Sequence, residues 1–140
     1  MTSLNVIERY AADNTQTAPS TTDYANVGIS GITSTNWSDI NEQVNSQSLT
    51  STTSIQTLVN SLNRITAYAA DNTQTEPSVA DYRNIGILSV ETNNIDFVSE
   101  VIGDSSLTKH TAIAHSVSEV VFELSRAGIE VARDMDGDGI

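Results

Sequence analysis

The sequence contains no cysteine, only two prolines and few aromatic residues, which make up 5% of the chain. The absence of cysteine excludes disulfide bonds, thiolate zinc sites and a cysteine nucleophile. No stretch approaches the ~20 apolar residues that a membrane-spanning helix needs, and the first residues show no signal-peptide pattern. Because apolar residues reach only 38%, we expect a thin core and a small or elongated fold.

Positive charge is also scarce. Six lysine and arginine residues stand against 18 acidic residues, which gives a net charge of −12. Such a chain repels the phosphates of nucleic acids and of anionic lipids, so we exclude both as partners. The same charge is compatible with binding divalent cations.

Residue types that carry catalysis are sparse as well. His110 and His115 are the two histidines; they lie about 140° apart around a helix and do not share a face. We expect both to face solvent. The sequence shows no nucleophile elbow and no glycine-rich phosphate loop, so we predict that the chain is not an enzyme and has no catalytic residues.

What the chain does contain is an internal repeat. The letters YAADNTQT at residues 10–17 recur at 68–75, and residues 7–29 align without gaps with 65–87, 58 positions later. Beyond these segments the apolar positions still pair, as Ile32 does with Val90 and Ile40 with Val98. A shared apolar pattern under changed surface residues is typical of a duplicated fold.

Each unit contains signals for a short helix. Ser20 is suited to the N-cap, and Asp23 three residues later completes a capping box. Gly28 can take the left-handed conformation that ends the helix, with Ile29 folding back. The second unit repeats this pattern at Ser78, Asp81, Gly86 and Ile87. A further helix follows in each unit, with one apolar stripe formed by Trp37, Ile40 and Val44, and then by Ile95, Val98 and Ile102.

The longest helix is predicted to belong to both units. Apolar residues keep helical spacing from Ile55 to Ala69, with no glycine or proline between residues 50 and 76. This predicts one helix over 51–72, about 33 Å long. We therefore expect an all-α, elongated fold of two small three-helix bundles, formed by residues 1–62 and 63–125. Residues 126–140 are expected to form a helix end followed by a tail.

The repeated letters YAADNTQT have two interpretations. In the first, they end a helix and form a polar turn before Pro19 or Pro77, with Asn14 and Asn72 in the left-handed conformation. In the second, they form a ligand-contacting loop kept identical in both units. We favour the first, because each residue type suits a helix end.

A candidate metal site lies at the last residues. Asp134, Asp136 and Asp138 alternate along the sequence DMDGDGI, and Gly139 permits the sharp turn that lets carboxylates converge on a cation. Ca²⁺ takes 6–8 oxygen ligands, so these three carboxylates, with the carbonyl of Ile140, form a partial site. The alternative is a solvated acidic tail.

The motifs together resemble a known family. The pattern I-x-x-Y-A-x-D-N…P-S-x-x-D-Y-x-N-x-G-I-x-x-[IV]…N, which runs from Ile7 to Asn36 and again from Ile65 to Asn94, resembles the GA-like tandem three-helix repeats of very large bacterial surface proteins. DMDGDGI is similar to the start of the calcium repeats that often follow them. The resemblance implies an extracellular or cell-surface location. Related modules bind serum albumin, but none of their binding residues can be matched here.

Two functions remain open at this point. One is a structural spacer of a large surface or secreted protein, whose partners are the neighbouring repeats of the parent chain. The other is a protein-binding, adhesive module, of albumin type or directed at another host or cell-surface protein. The second would need an exposed apolar patch on the second and third helices of a unit. The sequence offers few apolar residues beyond those that the core needs, so we favour the spacer.

The acidic tail makes a direct prediction about calcium. With three carboxylates and one carbonyl available, water must supply the remaining oxygens, so we expect a dissociation constant of about 1 mM, as in the weakest extracellular sites. Asp136→Ala should abolish binding and leave the helical content unchanged. Calorimetric titration with Ca²⁺ checks this, and circular dichroism is the control for helical content. Equal Ca²⁺ affinity of the unaltered chain and the Asp136→Ala variant would identify the motif as an acidic tail only.

Overall fold

Seven α-helices form the regular secondary structure of the computed structural model, which describes the backbone of residues 1–134 and the side chains of residues 1–126. They are α1 (Ser3–Ala12), α2 (Thr21–Asn26), α3 (Trp37–Ser46), α4 (Thr52–Ala70), α5 (Val79–Asn84), α6 (Ile95–Ile102) and α7 (His110–Asp134). The described part of the chain contains no strand. The predicted all-α class is confirmed.

Helix boundaries recur at the same 58-residue offset as the sequence. Both ends of α2 and α5, the starts of α3 and α6, the starts of α4 and α7, and the ends of α1 and α4 are all related in this way. Two helix ends depart from this offset. Helix α7 continues to Asp134, beyond the position equivalent to the end of α4, and α6 stops at Ile102 just before Gly103, whereas α3 continues to Ser46. Glycine is a poor helix former, which accounts for the shorter helix.

Both predicted capping boxes are present. The hydroxyl of Ser20 accepts from the backbone N–H of Asp23, whose carboxylate accepts from the backbone N–H of Ser20 in return. Ser78 and Asp81 repeat this arrangement. Gly28 has a φ of 86° and Gly86 a φ of 84°, as the left-handed helix ends require.

The helix end in YAADNTQT differs from our expectation. The prediction of left-handed conformations at Asn14 and Asn72 is wrong, because neither residue has a positive φ. Instead α1 ends at Ala12, and the residue that caps it, Asp13, has an extended backbone. The carboxylate of Asp13 accepts from the backbone N–H of Thr15 at 3.0 Å and from the Thr15 hydroxyl at 2.7 Å. Asp71 makes the same contacts in the second unit. The repeated letters therefore build an Asx turn, in which an aspartate side chain replaces the left-handed residue.

The core runs along α4, which is a single continuous helix as predicted. Its buried residues include Ile55, Leu58, Leu62, Ile65 and Ala69. The helix contacts α3 in the first unit and both α5 and α6 in the second. Its buried residues belong to one core cluster with those of the helices before and after it.

Trp37 lies at the edge of the core. Although it belongs to the apolar stripe predicted for this helix, Trp37 is only partly covered, and its indole N–H donates to the carbonyl of Pro19 at 2.7 Å. Asn41 donates to the same carbonyl and accepts from the hydroxyl of Tyr24, which is fully buried. These contacts hold the Pro19 turn to α3. Ile95, the equivalent of Trp37, is likewise only partly buried.

The second unit does not reproduce this polar cluster. Tyr82 and Ser99 stand where the first unit has Tyr24 and Asn41. Serine is too short to reach the tyrosine, and both the Tyr82 Oη and Ser99 Oγ are buried with no hydrogen-bond partner among the described residues. Each such group costs about 1–3 kcal/mol.

The continuity of α4 makes a stability prediction. Ile65→Pro removes a helical hydrogen bond and places the proline ring against the preceding turn, so the free energy of unfolding should fall by about 3 kcal/mol or more. Ile65→Val keeps a β-branched apolar side chain and is the control, with an expected loss of about 0.5–1.5 kcal/mol. Denaturant unfolding followed by circular dichroism measures both, and equal losses would contradict a continuous helix.

A second prediction concerns Asp81. Its burial acts to raise the pKa, but hydrogen bonds from the Ser78 backbone, Arg64 and Ser61, with the charge of Arg64, outweigh it and hold the pKa below the ordinary 3.8. A lowered pKa stabilises the fold above pH 3.8, and this contribution is lost as the pH falls through the folded value. Asp81→Asn should therefore cost about 1–3 kcal/mol at pH 7 and reduce the loss of stability between pH 5 and 2.

The matched control is Asp23→Asn, at the equivalent position in the first unit. Asp23 also has a lowered pKa, caused first by the hydrogen bond from the Ser20 backbone, but no arginine is among its causes. Unfolding by urea at several pH values compares the variants. If Asp81→Asn lowers the free energy of unfolding at pH 7 no more than Asp23→Asn does, the ion pair between Asp81 and Arg64 makes no net contribution to stability.

Candidate functional site

The predicted calcium ligands lie at the limit of the structure. Asp134 is the last residue of α7, and its side chain lies outside the described residues, as do Asp136, Asp138 and Ile140. The calcium site therefore stays a prediction. Among the described residues, no group of three or more His, Cys, Asp or Glu side chains is arranged to hold a metal ion.

The two histidines have different surroundings. His115 is exposed on α7, and its Nε2 lies 3.0 Å from a carboxylate oxygen of Glu119, also exposed. The expectation that His110 faces solvent is wrong. Its Nε2 lies 2.7 Å from the carbonyl oxygen of Ile85 and 3.2 Å from the side-chain nitrogen of Gln43. A carbonyl only accepts, so Nε2 carries the proton and donates to Ile85.

The start of α7 is held by the first unit. The backbone N–H of His110 donates to the carboxylate of Asp39 at 2.9 Å, and the ammonium of Lys109 donates to the carbonyl of Thr35 at 3.0 Å. The first N–H groups of a helix have no acceptor within the helix and lie at its positive end. Asp39, which belongs to α3, satisfies one of them from the other unit.

The turn after α5 meets the same face of α3. The side-chain amide of Gln47 donates to the carbonyl of Asn84 at 3.1 Å and to Gln43 at 2.9 Å. A Cβ atom added at Gly86 would lie 2.8 Å from the side-chain oxygen of Gln43. Two features therefore require glycine at this position: its left-handed backbone conformation and the close approach of α3.

We call this set of contacts between α3, the turn after α5 and the start of α7 the junction. It leaves Asp39 and Gln43 only 6% and 5% exposed, although both are polar. The expectation of two bundles strung along a shared helix omitted these contacts. The chain is accordingly more compact than the elongated shape that the sequence suggested.

A second surface feature lies between α6 and α7. It is an open groove of about 420 Å³, lined by Phe97, Glu100, Val101, Ser116, Glu119, Val120, Glu123 and Leu124. Phe97 and Val101 are 51% and 48% exposed, which is unusual for such large apolar side chains. This surface was not predicted from the sequence, because the apolar residues were all expected to belong to the core. The signal was present in the repeat, since Phe97 and Val101 occupy the positions of Asp39 and Gln43.

No helix in the described part of the chain is both long enough and apolar enough to cross a membrane. The chain matches no protein-family model, no curated protein and no solved structure.

Proposed function

We propose that the chain is a non-enzymatic structural module of a large bacterial surface or secreted protein, in which two repeat units are held at a fixed mutual position. The observation that carries the proposal is the junction. Hydrogen bonds from Lys109, His110 and Gln47 cross between the units over more than 30 residues of sequence. Together with the shared helix α4, they connect the units at two places.

Two connections suit a spacer better than one. A single helix between two bundles bends at any local opening, whereas a second contact away from that helix resists bending and rotation. The junction combines two buried polar side chains, Asp39 and Gln43, with exposed hydrogen bonds from Lys109 and Gln47 to backbone carbonyls. Hydrogen bonds are directional, so they fix the position of the groups that they join. The acidic surface, rich in Ser and Thr, keeps such a module soluble.

The setting in a large extracellular protein rests on the resemblance to GA-like repeats. Calcium bound by Asp134, Asp136 and Asp138 would stiffen the chain beyond the second unit in that setting. Neighbouring repeats of the parent chain are then the natural partners.

A protein-binding role is the second candidate. The groove between α6 and α7 favours it, because these are the second and third long helices of the second unit. An exposed apolar patch at this place is the feature that a binding module needs. The two functions are compatible in one chain, since the junction and the groove use different surfaces.

The spacer proposal is tested by measuring the distance between the units. The natural sequence has no cysteine, so spin labels can be attached at Ala25→Cys and Asp96→Cys, both at exposed positions. Double electron–electron resonance should give one narrow distribution of the distance between the two spin labels. The double change Asp39→Ala and Gln43→Ala removes junction contacts and should broaden it.

The control is Glu42→Ala, an exposed position on α3 between the two junction residues. It should leave the distribution narrow. Circular dichroism verifies that all variants keep their helices. A broad distribution in the labelled chain without further changes would refute the fixed arrangement of the units.

A further inference from the structure

The groove between α6 and α7 is apolar along its floor. Phe97 and Val101 lie one helical turn apart on α6, and Val120 and Leu124 lie one turn apart on α7. Val120 packs against the core from its edge, and the two α6 residues are about half exposed. The groove thus offers two apolar side chains on each of its two helices, each pair spanning about one helical turn.

The equivalent surface in the first unit is covered. Asp39 and Gln43 take the places of Phe97 and Val101 there, and they lie beneath the turn after α5 and the first turn of α7. What covers this surface in the first unit is therefore the start of one helix and the turn that follows another. The repeat supplies a direct precedent for helix termini packing on this face.

The chemistry of the two surfaces nevertheless differs. The α3 surface holds its covering helix through carboxylate and amide groups that bind backbone atoms. Phe97 and Val101 make no such hydrogen bonds, so an occupant of the groove must present apolar side chains. Every third or fourth residue of a helix points the same way, which matches the spacing of the two pairs.

Charge restricts the occupant further. Glu100, Glu119 and Glu123 line the groove together with the apolar residues. Glu119 faces His115 and Glu123 faces Arg126 in exposed pairs that are weak in water. A second copy of this chain carries the same acidic residues and a net charge of −12, so it is repelled. A basic occupant is attracted.

We infer that the groove between α6 and α7 binds an amphipathic helix of another protein, with apolar residues on one face and lysine or arginine along its flanks. Phe97 and Val101 provide the apolar contact, and Glu100, Glu119 and Glu123 pair with the basic flanks. This inference goes beyond the spacer function and does not depend on it.

The probe is a fluorescent peptide of about 18 residues, long enough for five helical turns. It carries leucine at core-facing helical positions and lysine elsewhere. Anisotropy at about 0.15 M salt measures its binding to the full chain. A second peptide with glutamate in place of lysine tests the charge requirement, and a third with the same composition in scrambled order tests the helical pattern.

The first peptide alone should bind with a dissociation constant in the micromolar range. The double change Phe97→Ser and Val101→Ser should weaken binding about tenfold or more, because apolar contact is lost on α6. Glu119→Gln with Glu123→Gln should weaken it less and reduce its salt dependence. The matched controls are Leu88→Ser, an apolar residue 69% exposed elsewhere, and Glu8→Gln; neither should change the affinity.

Backbone NMR shifts of the unaltered chain, recorded with the first peptide, provide a readout that needs no variant. The largest changes should fall on α6 and on residues 116–124 of α7. Three outcomes would overturn the inference: no binding at about millimolar peptide, equal binding by the serine variant, or shifts that spread over the acidic surface. The last would mean non-specific attraction by charge alone.

Discussion

The arrangement of the second unit depends on one hydrogen bond, between the carboxylate of Asp39 and the backbone N–H of His110. It places a negative charge at the positive end of a 25-residue helix and satisfies an N–H that has no acceptor within that helix. From this start α7 packs beside α6 and buries Ile113 and Val117.

The two repeat units have related sequences but different surroundings. The residues that differ between them lie where the units make different contacts. Asp39 and Gln43 of α3 are buried against a neighbour, whereas Phe97 and Val101 at the same repeat positions meet solvent. Residues that only shape a unit, such as the capping pairs and the Asx turn aspartates, stay the same in both copies. Identity between copies thus marks local structure, and difference marks what each copy contacts.

The local structure could be predicted from the sequence because its causes are local. Helical spacing from Ile55 to Ala69 and the Ser–Asp capping boxes act within a few residues, and both were confirmed. The Asx turn was missed because Asp13 and Asn14 are both suited to a helix end, and only geometry separates them. The junction and the groove were missed for a different reason. His110 reaches Ile85 and Asp39 through the tertiary fold, and no period or motif in the sequence encodes that approach.

The helix α4 has a consequence for how this chain can be divided. This one helix packs with α3 before it and with α5 and α6 after it. A protease cut within Thr52–Ala70 therefore divides a helix on which both repeat units depend for packing. The smallest piece that keeps every buried surface covered is larger than one repeat.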